Sequence, residues 1–244
     1  MTTRITTDDT GRRAAAGDWR LILAAIGAIV RKDLQIERRT RQTISVMLMF
    51  SLVVVVMFNF ALEADLGAAR AVATGLLWAT IILAGTLGLN RALALESESQ
   101  SIEALLMAPI SRSAIYLGKV CSVTIFTLAL ESVLIFLFIV LFDKPLWQPA
   151  VLLMLILGTI GYVAAGVLVT SITIQTRSRE VLLPVLLLPL SLPVVLSASM
   201  AVGQYMVPEA PAWADVSSFF AMVGAYDLLM LSVGVLTYRY IVES

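Results

Sequence analysis

Six long apolar runs dominate the sequence and constrain its fold more than any other feature. They occupy residues 43–62, 70–90, 114–141, 150–174, 181–202 and 217–237. Each approaches the ~20 residues that a helix needs to cross the ~30 Å hydrocarbon layer of a membrane. Hydrocarbon offers the backbone no hydrogen-bond partner, so a spanning segment must be a helix or part of a closed barrel. Because the runs are continuous and lack strict alternation, they predict helices.

Charge is scarce and sorted between the two sides of the predicted bundle. The chain is 59% hydrophobic and 14% charged, against about 25% charged in soluble domains. Of its 17 lysines and arginines, 15 lie on one side of the runs, and Arg70 and Lys144 lie on the other. The positive-inside rule then predicts that both termini are cytoplasmic. The predicted fold class is all-α, a polytopic membrane protein with six transmembrane helices. Topology alone explains the basic cluster at 31–41, so nucleic-acid binding has little support.

The segment before the first run divides into two parts. Residues 1–18 are polar and predict a disordered cytosolic tail without a signal peptide. Residues 19–41 carry apolar side chains at helical spacing among basic ones, which predicts an amphipathic helix in the cytoplasmic interface. A solvent-exposed lead-in to the first span is the alternative. Residues 42–244 then form the six-helix transmembrane domain, with a cytoplasmic loop at 91–113.

The sequence contains no histidine and a single cysteine, Cys121. The missing histidines exclude His-ligated metal or haem iron, a Ser-His-Asp relay and a histidine proton shuttle. No nucleophile–base motif is present, so we expect no catalytic residues, no metal site and no enzymatic activity. With one cysteine, no disulfide can form within the chain.

Two acids fall inside apolar runs, Glu131 in the third and Asp227 in the sixth. An acid at the centre of a bilayer is costly, so such side chains normally face protein or water. One interpretation is a substrate or proton pathway. The other is an acid that fixes helix packing, either protonated or hydrogen-bonded between helices. The sequence leaves both open.

Proline and glycine mark two further runs. The fifth run contains Pro184, Pro189 and Pro193, and each predicts a kink or break because it removes a backbone donor. A static kink and a hinge for alternating access are both compatible with them. In the fourth run, Gly158, Gly161 and Ala165 share a helix face, which predicts close approach of a neighbouring helix.

The loop at 91–113 is long, acidic and cytoplasmic. Residues 101–107 predict a short helix, with Ser101 as its N-cap and Pro109 closing it. Leu105 and Leu106 on such a helix expose apolar surface, which suggests docking on a soluble partner. No segment matches the Walker A pattern, so any ATP used by the protein is hydrolysed by another chain.

These features lead to a family resemblance. The chain resembles the CcmB family of haem exporter membrane proteins, which act in cytochrome c maturation and belong to the ABC-2-type exporter permeases. Three stretches carry the resemblance: the basic residues 30–39, the loop with its flanks at 89–119, and the proline-punctuated residues 181–194. One departure is Gln100-Ser101, which stands where the family usually has an acidic residue followed by glycine.

The resemblance implies a homodimer in the inner membrane, bound to ABC ATPase subunits that use ATP. It also implies a haem-handling membrane protein and a haem chaperone as partners. The chain itself would bind no cofactor, and haem is a possible substrate. The activity would be haem export or release of the haem-loaded chaperone. The residues implied in ATPase coupling are Glu96, Glu98, Glu103, Leu105, Leu106 and Pro109.

Two other functions remain as alternatives. One is a generic ABC-2-type exporter of a lipid, glycan or drug, with the same fold and coupling loop. The other is an ion-coupled secondary transporter or a membrane scaffold, which would use Glu131 or Asp227 directly. The chain shows no inverted repeat of broken helices that would favour the transporter.

Overall fold

The computed structural model describes residues 8–62, 66–98, 111–142, 146–173, 176, 179–206 and 211–242. All regular structure in these ranges is helical. The helices are α1 (Asp8–Thr40), α2 (Gln42–Leu62), α3 (Leu66–Glu98), α4 (Arg112–Phe142), α5 (Pro149–Thr173), α6 (Arg179–Gln204) and α7 (Trp213–Val242).

Among the described residues, six helices are long and apolar enough to cross a membrane. The spans are Gln42–Leu62, Val72–Ala92, Arg112–Phe142, Pro149–Thr173, Val181–Gln204 and Trp213–Tyr238. The six predicted helices and their order are therefore confirmed. Local sequence signals explain where two of these helices begin. The Ser111 hydroxyl accepts the Ala114 N–H over 3.3 Å and caps α4, and Pro149 occupies the first turn of α5, where its missing N–H costs nothing.

Helix α5 is the centre of the bundle. It packs against α3, α4, α6 and α7. Within its apolar spanning segment 72% of the residues are buried, compared with 17% for α2. Its glycines, alanines and threonines allow neighbouring helices to approach closely. A polar side chain that contacts a buried face of α5 is therefore held inside the protein.

Contacts between helix ends show how the spans alternate. Arg91, near the end of α3, donates to the Gln42 side chain at the start of α2 over 2.5 Å. Ser113, at the start of α4, donates to the Val235 carbonyl near the end of α7 over 3.3 Å. Helix α1 connects these two contacts, because its Asp33 bonds Lys119 near the start of α4 and its Glu37 bonds Ile44 at the start of α2. The first span therefore begins, and the last span ends, on the same side of the bundle. Which side of the membrane this is remains a prediction from the charges.

Helix α1 lies outside the six spans and packs against the first half of α4. It begins at Asp8, earlier than the predicted start at 19, and its alanines and arginines are strong helix formers. Residues 1–7 of the predicted tail lie outside the described residues. The helix ends at Thr40, and the next residue, Arg41, has a left-handed φ of 52° and turns the chain directly into α2.

Helix α6 runs without a break through Pro184, Pro189 and Pro193. The sequence predicts either a kink or a break at these prolines, and this described helix contains no break. A kink or a hinge at these positions stays a prediction. Pro189 and Pro193 are exposed on the outer side of the bundle, so their rings occupy no space in the core.

Candidate functional site

The two intramembrane acids are both buried, and both contact one turn of α5. Glu131 of α4 is 2% exposed and accepts a short hydrogen bond from the Thr159 hydroxyl. This bond satisfies one oxygen of an acid that would be costly to bury alone. The contact joins α4 to α5 near the middle of both helices.

Asp227 of α7 approaches α5 at Gly161. A Cβ added to Gly161 would collide with the Asp227 carboxyl and would lie 3.0 Å from the Tyr226 ring. The carboxyl can therefore sit there because residue 161 has no side chain. Asp227 is 6% exposed, and within the described part of the chain its Oδ1 has no hydrogen-bond partner.

The two acids lie on different sides of α5. Thr159 and Gly161 are two residues apart, which places them about 200° apart around a helix. Glu131 and Asp227 therefore contact nearly opposite faces of α5 and do not form a pair of carboxyls that could share a proton or a cation. Both acids lie at helix–helix contacts, as the packing interpretation expects. A part for either acid in a transport pathway stays a prediction.

Buried tyrosine hydroxyls tie α5 to two other helices through backbone carbonyls. The Tyr162 hydroxyl donates to the Ile82 carbonyl of α3 over 2.9 Å and lies 3.0 Å from the Thr86 hydroxyl. The Tyr116 hydroxyl of α4 lies 3.0 Å from the Ala164 carbonyl and 3.3 Å from the Met230 carbonyl. These bonds join α3, α4, α5 and α7 close to the turn of α5 that contacts Glu131 and Asp227.

Large side chains of α3 fill spaces left by glycines of α5, and a large side chain of α5 fills a space left by a glycine of α3. A Cβ at Gly158 would collide with the Trp78 ring, and one at Gly166 would lie 2.5 Å from Leu89. In the other direction, a Cβ at Gly85 would lie 2.8 Å from the Tyr162 ring. The close approach predicted for the small residues of the fourth run is therefore present. Gly158 and Gly161, however, face different helices.

A second polar cluster joins α1 to α4 at the edge of the bundle. The Lys119 ammonium group lies 2.9 Å from the Asp33 carboxylate, and both side chains are about nine-tenths buried. Lys32 lies 3.1 Å from the same carboxylate. Burial raises the pKa of Asp33, but the attraction of Lys119 and Lys32 outweighs burial and holds that pKa below its ordinary value. The cluster fixes α1 against the start of α4.

The predicted ATPase-coupling residues lie at or beyond the limits of the described chain. Glu96 and Glu98 belong to the last turns of α3, and their side chains are not described. Glu103, Leu105, Leu106 and Pro109 lie outside the described residues. The structure therefore leaves the coupling helix a prediction. It does show that α3 ends and α4 begins on the side of the bundle where α2 starts, through the contacts of Arg91 with Gln42 and of α1 with both α4 and α2.

Sequence reasoning did not single out Thr159, Tyr162, Trp78 or the Asp33–Lys119 pair. One signal was available for the aromatic contacts. Gly158, Tyr162 and Gly166 recur every four residues, so they form one ridge that alternates small and large side chains. No local signal identifies the ion pair, because its two residues are 86 positions apart.

Comparison with known proteins adds a family to this geometry. Residues 24–240 match the family described as "CcmB protein", and this range includes all six spans. The chain is 32% identical over 173 residues to "Heme exporter protein B" of Rhodobacter capsulatus, which covers 69% of this chain and 78% of the relative. It is 29% identical over 187 residues to the protein of that name from Bradyrhizobium diazoefficiens, covering 74% and 83%.

Proposed function

Because the chain belongs to the CcmB family, we propose that it is the membrane permease subunit of an ABC transporter that exports haem for cytochrome c maturation. The observation that carries this proposal is the family match over residues 24–240, which takes in every span of the bundle. The relatives that match are named "Heme exporter protein B". A separate ATPase chain supplies the energy, since this sequence has no Walker A motif.

The ATPase docks on the loop between α3 and α4, through the segment that includes Glu103 and Leu106. Two features support this assignment. The loop joins helix ends on the side of the bundle that carries Arg41, Arg91 and Arg112, and cationic ends face the cytoplasm, where ATP is used. The loop also leads directly into α4, so a force on it reaches Glu131 through a single helix.

Haem passes along the surface of the bundle, at a contact with a second copy of the chain or with another membrane subunit. The packing around α5 supports this route over one through the bundle of a single chain. Trp78 and Tyr162 fill the space between α3 and α5, and Tyr116 fills the space beside Gly234. A path through one bundle would have to break these close contacts.

The same packing favours a second candidate activity, ATP-driven release of a haem-loaded chaperone. In that case the bundle transmits force and carries no haem. Both activities require the same ATPase and the same inner-membrane location with cytoplasmic termini. They differ in whether purified transporter moves haem across vesicles that contain no chaperone.

The first test is covalent c-type haem in membranes of a strain that lacks this gene, detected by haem-dependent peroxidase staining. We expect c-type cytochromes to disappear while b-type haem remains, and the intact gene to restore them. Normal c-type cytochromes in a strain with no second copy of the gene would overturn the proposal.

The second test is co-purification of the ATPase with Glu103→Lys and Leu106→Asp variants. We expect both substitutions to lose the partner and the c-type cytochromes. Glu63→Lys is a matched control, since it makes the same charge change in a loop predicted to lie on the other side of the membrane. If Glu103→Lys and Leu106→Asp retained the ATPase and activity, the assignment of the coupling helix would be wrong.

A further inference from the structure

Helix α1 turns its described acids towards the bundle, where each has a partner. Asp33 lies against Lys119 and Lys32. Glu37 is 4% exposed, and its carboxylate accepts the N–H groups of Thr43 and Ile44 over 3.2 and 2.8 Å. Neither carboxylate is therefore available to neutralise the arginines on the other side of the helix.

The arginines of the same segment point the opposite way. Arg31 is two residues from Asp33, and Arg39 is two residues from Glu37, so each arginine lies about 200° around the helix from an acid. Together with Arg38 and Arg41 they form an exposed group, which we call the basic face. Within the described residues, no carboxylate forms an ion pair with any of these four arginines.

Exposed apolar side chains precede the basic face, towards the start of α1. Trp19 and Leu23 are exposed, at 51% and 56%. Each four-residue step turns a helix about 40° past a full turn, so Leu23 lies about 80° and Trp19 about 120° around the helix from Arg31, beside the basic face and not on it. Exposed tryptophan and leucine on one side of a helix, with arginines on the adjoining side, form the pattern of a helix that lies on a membrane surface. The basic face also adjoins the membrane boundary, since Arg41 directly precedes Gln42, where the first span begins.

We propose that the basic face of α1 binds the headgroups of anionic phospholipids. The phosphate groups of the lipids would accept hydrogen bonds from the guanidinium groups, which suit this geometry and stay charged at any physiological pH. Trp19 and Leu23 would enter the adjoining acyl layer. The proposal goes beyond haem export, because it assigns a lipid requirement to a helix outside the six spans.

The test uses the full-length chain in vesicles of equimolar phosphatidylglycerol and phosphatidylcholine. The two lipids retained after extraction are compared by native mass spectrometry. We expect wild type to retain phosphatidylglycerol selectively. Arg38→Gln with Arg39→Gln should lower that selectivity about fivefold for each arginine at low salt, and added salt should weaken the wild-type preference. The matched control, Arg38→Lys with Arg39→Lys, keeps the charges and should keep most of the selectivity.

A second measurement locates the lipid on the protein. Bromine on the phosphatidylglycerol acyl chains should quench Trp19 fluorescence more than bromine on phosphatidylcholine, in a variant with Trp147→Phe and Trp213→Phe. This variant retains Trp19 and the buried Trp78, and adding Trp19→Phe gives the Trp78 signal to subtract. The glutamine substitutions should remove this difference. Equal selectivity and equal quenching in wild type and the glutamine variant would overturn the proposal. Unchanged lipid selectivity with loss of the co-purified ATPase would also overturn it, and would assign the basic face to a protein partner.

Discussion

The Glu37 carboxylate accepts the backbone N–H of Ile44 over 2.8 Å, so a side chain of α1 caps the next helix. It also accepts the Thr43 N–H over 3.2 Å. A helix start leaves its first N–H groups without partners inside the helix, and acidic side chains there are also favoured by the helix dipole. Glu37 therefore joins α1 to the first span through the backbone, across the left-handed turn at Arg41.

Glu37→Ala should destabilise the protein by about 1–2 kcal/mol, because it removes both acceptors from the start of α2. Glu37→Gln keeps one oxygen acceptor and should lose about half as much. Thermal unfolding in detergent micelles measures the difference. Gln35→Ala, an exposed change on the same helix, is the control and should be nearly neutral. Equal melting temperatures for the alanine variants at 35 and 37 would contradict a capping role.

Gly158→Ala should destabilise the protein by about 1–3 kcal/mol, because the new methyl group would overlap the buried Trp78 ring and also lie 3.3 Å from Ala198. Gly224→Ala is the matched control. Nothing lies within 4 Å of a Cβ at that position, so the higher helix propensity of alanine should leave stability unchanged or raise it by up to about 1 kcal/mol. Opposite signs in unfolding experiments would confirm the contact, whereas similar effects would contradict it.

Glu131→Gln should be tolerated better than Glu131→Lys in both stability and c-type cytochrome formation. Glutamine can still accept the Thr159 hydroxyl hydrogen bond, whereas lysine would place a cation in the same buried space. Thr159→Val tests the contact from the other side and should destabilise the protein more than Glu131→Gln, because it leaves the buried carboxyl without its donor. Equal loss of activity in the glutamine and lysine variants, with folding intact, would show that the ionised carboxylate itself is required.

Asp33→Asn should destabilise the protein by up to about 3 kcal/mol near neutral pH, because two lysine ammonium groups then face each other without the carboxylate that they share. Lys119→Met should cost less, since Lys32 remains 3.1 Å from Asp33. Lys32→Met is the control, because that side chain is about one-third exposed and surface pairs contribute little.

The Asp33 effect should also depend on pH. The pKa of Asp33 lies below its ordinary value of 3.8 in the folded protein, so its ionised form stabilises the fold above that pH. The difference in unfolding free energy between wild type and Asp33→Asn should stay constant from about pH 5 to about pH 7. It should then decrease as the pH falls below 3.8 and towards the lower, folded-state value. A difference that increases on acidification would contradict this ion pair.

The six spans could be predicted from the sequence because hydrocarbon selects length and apolarity, which are both local properties. The burial of Glu131 followed from the same reasoning, since an acid in a span avoids lipid. Its partner could not be predicted. Several threonines of α5 are chemically equivalent in sequence, and only the rotation of α4 about its axis brings Glu131 to Thr159.

The ends of α1 show a different limit. An amphipathic helix before the first span was predicted, but the separate tasks of Asp33 and Glu37 were not. In the sequence, both acids resemble members of a mixed charged surface. Their partners could not be predicted, because tertiary packing brings Lys119 to Asp33 and a turn brings Ile44 to Glu37. The left-handed backbone of Arg41 could not be predicted from the sequence either. A glycine or asparagine at this position would have indicated it, because these residues usually occupy the left-handed position after a helix.

The central position of α5 has a consequence for how the protein is made. Synthesis runs from the N-terminus, so α3 and α4 leave the ribosome before α5, the helix that covers Trp78 and Glu131. Until Thr159 arrives, the nascent chain holds an uncompensated acid in or beside the bilayer. The insertion machinery must therefore shelter the first half of the molecule, or Glu131 must wait at the aqueous border until its partner helix is released. Because the central helix α5 is synthesised after α2, α3 and α4, the protein is most vulnerable during biogenesis while only these three spans have been made.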